Sequence, residues 1–318
     1  MAENPPPFLE TWTASDGYTA HCRRYLPREP AHAHLICLHG IQSHGGWYEY
    51  SSARLCQAGY AVHYLDRRGS GLNQEARGDA PSFRRLIDDV AEFIAPLRRE
   101  MPEVPVVAVA GSWGGKLATA LCRRHPGLLD ALVLLCPGLF PKVRPPFGQR
   151  LRIFLARLAN PTRRFPIPLN DPELFTANPR WQAFIAGDPL ALREATARLL
   201  VESVRLDLYL RWVPAWVTVP TLLMLAEHDR IIDNARTRAY VGRFATPEKQ
   251  IIEYAGAHHT LEFEPDRDRF IDDLITWLRG REKLILRQRQ LAHARAAPAP
   301  LPAPQTDEAL NPGLAENG

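Results

Sequence analysis

The residue whose surroundings say most about chemistry is Ser112. It sits in Val106-Val-Ala-Val-Ala-Gly-Ser112-Trp-Gly-Gly-Lys-Leu-Ala-Thr-Ala120, where an apolar run meets a helical pattern. A serine at such a junction predicts a nucleophile elbow, a sharp strand-to-helix turn that lifts the hydroxyl to the edge of a sheet. The turn demands small residues two before and two after the serine. Here they are Ala110 and Gly114, so the pattern is A-x-S-x-G, one methyl away from G-x-S-x-G. A serine hydroxyl is a weak nucleophile and needs a base that a third group orients. In an elbow protein these follow in the order serine, acid, histidine. Downstream, Glu227, Asp229 and Asp233 come just after the apolar run Thr221–Ala226, and His258 and His259 come just after Gln250–Tyr254. Glu227 sits close enough to the strand to belong to it. Asp233 reads as the cap of a helix starting near Asn234, which leaves Asp229 as the acid. Spacing does not choose between His258 and His259.

Acyl transfer at a serine also needs hydrogen-bond donors for the oxyanion. Trp113 follows the nucleophile at a helix start, so its backbone N–H points at the site with the helix dipole behind it. The loop His39-Gly40-Ile41-Gln42-Ser43-His44-Gly45-Gly46 follows another apolar run, and the N–H of Ile41 is expected to be the second donor. Gly40 lets the loop backbone come close to a substrate. His39 reads as a residue bracing the loop rather than a base.

The elements that must position these residues alternate. Apolar runs at Ala33–Leu38, Ala61–Leu65, Val104–Ala110, Ala131–Cys136, Thr221–Ala226 and Gln250–Tyr254 are mostly unbroken, as in strands buried on both faces of a parallel sheet. Between them, Tyr48–Ala58, Ser82–Glu100, Gly115–Arg124 and Asp266–Leu286 carry helical spacing. The fold class is therefore α/β, a doubly wound, mostly parallel sheet. Phe8–Pro27 reads as a hairpin turned at Asp16-Gly17 that adds antiparallel strands at one edge.

The alternation stops between Gly138 and Pro214. Two amphipathic runs stand there, one through Phe147, Leu151, Phe154 and Leu158, the other through Leu192, Ala195, Leu199, Ser203, Leu206 and Leu210. Residues 139–214 are thus expected to be an inserted helical cap over the carboxyl edge of the sheet. Residues 1–138 and 215–287 form the core in this reading, and 288–318 a disordered Ala/Pro-rich tail. The Phe147–Leu158 stripe fits three uses: packing on the core, which is the plainer one, lining an acyl tunnel, or meeting a lipid surface beside Arg150, Arg152 and Arg157. The Arg163-Arg164 pair reads as a solvated face.

Bulk properties set the context. The chain has 318 residues, 46% hydrophobic and 23% charged, enough for one large domain with an insertion. A net charge of +4 is too small to argue for nucleic-acid binding. Cys22, Cys37, Cys56, Cys122 and Cys136 lack metal-ligand or CxxC spacing and read as reduced core residues. No metal or cofactor is expected. The amino-terminal residues lack a signal-peptide profile and no apolar run reaches bilayer length, so a cytoplasmic protein without a transmembrane segment is expected. Oligomeric state is not legible.

Taken together, these segments resemble the monoacylglycerol lipase and lysophospholipase branch of the α/β-hydrolases, the serine aminopeptidase-like group. His39-Gly40 with His44 and then Trp47-Tyr48 is similar to that group's HGxxxH loop and aromatic helix start. Asp66-Arg67-Arg68-Gly69-Ser70-Gly71-Leu72-Asn73 resembles its D-x-x-G-x-G-x-S turn, with Asn73 in place of serine. Leu225–Asn234 resembles its acid loop, mapping the acid onto Asp229. Gly256-Ala257-His258-His259 resembles its G-A-x-H loop, mapping the base onto His259. The resemblance covers about residues 10 to 285. It implies an α/β-hydrolase fold with a helical cap and a serine esterase acting on a monoacylglycerol, lysophospholipid or short acyl ester through an acyl-enzyme. Two alternatives stay open: a peptidase or other acyl hydrolase on the same triad, and a non-catalytic binding protein.

Overall fold

Eight strands line up in one sheet, and their order explains where the serine, the acid and the histidine end up. The structure, a computed structural model, describes residues 7–296, and side chains as far as residue 282. The strands are β1 (Phe8–Thr13), β2 (Thr19–Tyr25), β3 (His34–Leu38), β4 (Ala61–Leu65), β5 (Val106–Gly111), β6 (Ala131–Leu135), β9 (Thr221–Ala226) and β10 (Lys249–Tyr254). They stand in the order β1-β2-β4-β3-β5-β6-β9-β10. From β4 to β10 every pairing is parallel, while β1 and β2 add an antiparallel edge. β3, β4, β5 and β9 are buried at every position, which is why their sequences are unbroken apolar runs rather than alternations. Gly17 turns the β1–β2 hairpin at φ 84°.

Helices cover both faces. α1 (Glu49–Gln57) lies beside α8 (Arg267–Ala296), and α2 (Phe83–Glu100) beside α3 (Gly114–Arg124). Ser82 starts α2 by accepting a hydrogen bond from the N–H of Arg85, and Asp233 does the same from Arg236 for α7 (Asn234–Gly242). α8 runs to Ala296, past the Leu286 end expected from sequence. Arg, Gln, Leu and Ala in that stretch are good helix formers, and helical propensity prevails there over the lack of an apolar face. The expected tail therefore does not begin at 288, and its part from 297 on lies outside the described residues.

Between β6 and β9 the chain leaves the sheet. It forms α4 (Phe147–Ala159), β7 (Arg164–Pro166), α5 (Pro179–Gly187), β8 (Glu194–Thr196) and α6 (Ala197–Leu210). The β7–β8 ribbon is antiparallel and was not expected. It takes Ala195 out of the second amphipathic run. α6 begins only after Thr196, whose side chain accepts from the N–H of Leu199. The stripe on α4 corrects a second expectation. Ile153 and Ala156 are the residues that face inward, against Phe165 and Ala197. At 100° per residue, Phe147, Leu151, Phe154 and Leu158 fall on the opposite side. They are not core: Phe147 is 74% exposed and Leu158 71%. Among the described residues no helix is long and apolar enough to cross a membrane. The five cysteines are free and buried.

Candidate active site

Ser112 follows the last residue of β5 at φ 48°, a left-handed backbone conformation that non-glycine residues rarely adopt. Three backbone hydrogen bonds hold it there: its N–H donates to Leu135, and its carbonyl accepts from Gly115 and Gly138. The small residues of the elbow are needed for space. A Cβ at Gly114 would lie 2.6 Å from the carbonyl oxygen of Leu38 and 2.7 Å from that of His39. Ala110 is fully buried in β5.

The loop after β9 brings in Asp229, and the loop after β10 brings in His259. Asp229 Oδ2 is 2.7 Å from His259 Nδ1, and His259 Nε2 is 2.9 Å from Ser112 Oγ. The other carboxylate oxygen of Asp229 accepts from the N–H groups of Ile231 and Ile232. Burial alone would raise the Asp229 carboxyl, but the charge and hydrogen bond of His259, with these two N–H groups, hold it below the ordinary range. The carboxylate is therefore ionised where an imidazolium would need it.

The competing residues go elsewhere. Glu227 accepts from the N–H of Gly256, Asp233 caps α7, and His258 lies 3.3 Å from Glu264. Cys136, at φ 41°, brings its Sγ within 4.8 Å of ligand atoms of Asp229 and His259. A metal ion bound by that trio would have to replace the Asp229–His259 hydrogen bond.

On the other side of Ser112 lies the loop after β3. A Cβ at Gly40 would sit 3.2 Å from Ser112 Cβ, so glycine is what allows the loop so close. Burial, then the charge of Arg67, push His39 down to about 3 and keep it neutral. It bridges Gly40 O through Nδ1 at 2.7 Å and accepts the N–H of Arg67 at Nε2. Arg67 adds to the brace by donating to the carbonyls of Gly40 and Ile41 while its guanidinium lies 4.8 Å from the Trp113 ring centroid. Trp113 directly follows the serine and Ile41 directly follows Gly40, and their N–H groups carry no hydrogen bond among the described residues.

Asp188, Lys116 and Asp207 also belong to this neighbourhood and were not singled out from sequence. Asp188, from the insertion, accepts from Trp47 Nε1 at 2.6 Å and lies 3.0 Å from His44 Nε2. Lys116 of α3 reaches Asp207 of α6 at 2.6 Å, and Trp113 Nε1 donates to Ser203. A buried lysine in a helix following an elbow was the readable signal for such a tie. Asp66 accepts from Gly45 and Leu72 and pairs with Arg23, while Asn73 donates to the carbonyls of Asp66 and Arg67. Gly71 is required there, because a Cβ would lie 2.3 Å from Asp66 Oδ2.

Comparison with known proteins agrees with this geometry. The family model for serine aminopeptidase, S33, matches residues 29–266. A monoacylglycerol lipase of Mycolicibacterium smegmatis is 26% identical over 77% of this chain and 87% of its own length. The mouse monoglyceride lipase is 24% identical, over 79% and 82%. Among solved structures, a monoglyceride lipase of Saccharomyces cerevisiae superposes with a TM-score of 0.77 at 15% identity, covering 87% of this chain and 96% of that one. The monoacylglycerol lipase of Paleococcus ferrophilus gives 0.73 at 21%, covering 81% and 98%. The family match spans most of the chain, which therefore belongs to the serine aminopeptidase S33 family of α/β-hydrolases, on its monoacylglycerol-lipase-like branch.

Proposed function

We propose that the protein hydrolyses carboxylic esters through an acyl-enzyme on Ser112, with a monoacylglycerol, a lysophospholipid or a short acyl ester as substrate. The observation that carries this is the unbroken chain Asp229–His259–Ser112, at 2.7 and 2.9 Å, ending on a serine held at a strained elbow. Ser112 Oγ attacks the ester carbonyl as His259 Nε2 takes its proton. The oxyanion forms between the N–H groups of Ile41 and Trp113, and His259 returns the proton to the leaving alcohol. Water then attacks the acyl-enzyme with His259 as base, releasing the acid and restoring the serine. Asp229 fixes the imidazole and stabilises its charged form.

Residues 139–214 are the cap in this proposal, set on a core of 1–138 and 215–287. Its outer side supports contact with a lipid surface. Phe147, Leu151, Phe154, Leu155 and Leu158 of α4 are all about half-exposed or more, and so are Trp212 and Trp216, which follow α6. Arg150, Arg152 and Arg157 share the helix. An apolar row flanked by cations suits an anionic bilayer or a micellar substrate. Free, buried cysteines fit a cytoplasmic location.

The test is labelling by a fluorophosphonate together with a panel of p-nitrophenyl esters and aminoacyl anilides. Labelling lost in Ser112→Ala, with turnover of esters over anilides, is the expected result. Turnover of anilides alone would make the protein a peptidase, and absence of both labelling and turnover would make it a binding protein.

A further inference from the structure

Behind Ser112, on the side of α1 and α8, a cavity of about 40 Å³ is lined by residues that include Ser112, His259, Tyr48, Tyr64, Ser51 and Glu262. That volume accommodates a water molecule, for which about 10–15 Å³ suffices. Glu262 is 3% exposed. One of its oxygens has a structural duty. α1 has no side-chain cap of its own, and Glu262 Oε1 supplies one by accepting the N–H of Ser51 at 3.0 Å. The other oxygen, Oε2, is buried and has no protein partner. A carboxyl oxygen left so is costly, whether the group is charged or neutral, unless something hydrogen-bonds to it. The cavity wall includes Tyr48, whose hydroxyl is 3.2 Å from Ser43 Oγ, itself the acceptor for Gly40 N–H.

We propose that Glu262 is a positioning residue that holds a buried water in the cavity behind the Ser112–His259 pair, so that its carboxylate supports, across this cavity, the charge of the imidazolium formed during turnover. The proposal rests on the esterase reading above. Burial raises the Glu262 carboxyl to about 7, against the hydrogen bonds of Ser51 and the charge of Arg267 on α8. The phenols and the thiol around it do not change charge near neutrality. Burial raises Tyr25 of β2, Tyr48, Tyr64 of β4 and Cys37 of β3, with Tyr48 at about 12. The carboxylate is thus present above about pH 7 and is neutralised below it, so its support for turnover grows as pH rises through that range.

Glu262→Gln separates this role from helix capping, because the amide keeps an acceptor for Ser51 and loses the charge. The expected result is a melting temperature close to the parent, KM within about twofold, kcat about fivefold lower above neutrality, and loss of the step near pH 7 in the kcat profile. Glu262→Asp should recover part of that step if the charge matters. A high-resolution crystal structure should show water within hydrogen-bonding distance of Oε2. A Glu262→Gln profile superimposable on the parent's, or a dry cavity, overturns the proposal and leaves the esterase reading intact. A parent enzyme that neither labels nor turns over esters ends both.

Discussion

Ser112 occupies a conformation that costs about 1–3 kcal/mol, and its three backbone hydrogen bonds, at about 1 kcal/mol each, offset that cost. The elbow is therefore held by its surroundings, and chemistry at the serine depends on side chains that come from other strands. Asp229→Asn keeps an oxygen for Ile231 and Ile232 but gives up the charge facing His259. kcat is expected to fall by about 10,000-fold with little change in melting temperature. His259→Ala should be as inactive, and His258→Ala should stay within about twofold of the parent, since His258 faces Glu264. Steady-state rates on one p-nitrophenyl ester decide the matter, and a dead His258 variant would reassign the base. The serine and the acid were legible because each directly follows an apolar run in the required order. The choice of histidine needed the family resemblance, since two adjacent residues have the same spacing. Arg67, Asp188 and Glu262 were not legible as site residues. What they do depends on which carbonyl, ring or helix end the fold sets beside them, and nothing local in the sequence carries that.

The parallel strands were readable as elements because burial on both faces leaves an unbroken apolar run, and the helices because one face is apolar. The insertion was read less well. In α4 both faces carry apolar residues, so periodicity alone points two ways, and packing of Ile153 and Ala156 on the α6 side decides which stripe is exposed. The β7–β8 ribbon is too short for any pattern to announce it. Exposure of the stripe makes α4 the element to test for lipid contact. Phe154→Ser with Leu158→Ser removes two large apolar side chains from the exposed row and touches neither Ile153 nor Ala156. Binding to sedimented vesicles containing anionic lipid is expected to weaken by about a hundredfold, at about 1.5 kcal/mol per lost side chain. Hydrolysis of a water-soluble short-chain ester should be unchanged. Equal vesicle binding by parent and variant would remove α4 from the lipid contact.

Stability against acid is a property of the whole molecule, because its titrating groups lie in separate parts of the core. His34 on β3 and His63 on β4 are buried with their rings joined at 3.0 Å, and His39 is buried in the site loop. Burial, with Arg24 and Arg98 near, lowers His34 to about 4; burial, then His34 and Arg24, lower His63; and burial with Arg67 puts His39 at about 3. Each folded-state value lies below the ordinary one near 6.5. The unfolded chain therefore takes up protons that the folded chain refuses, and stability is kept above about pH 6.5 and lost as pH falls below it. By about pH 5 each histidine withdraws about 2 kcal/mol, about 6 in all. Glu262 acts in the opposite sense. Its folded-state value is raised to about 7, so the neutral form is favoured on folding and acidification returns about 2 kcal/mol over the same interval. The net loss between about pH 7.5 and 5 is about 4 kcal/mol, a large share of the 5–15 kcal/mol typical of a domain. Urea unfolding at the two pH values measures it directly. His63→Asn should reduce the loss by about 2 kcal/mol, and a stability that does not change between the two would mean that these rings take up protons in the folded protein.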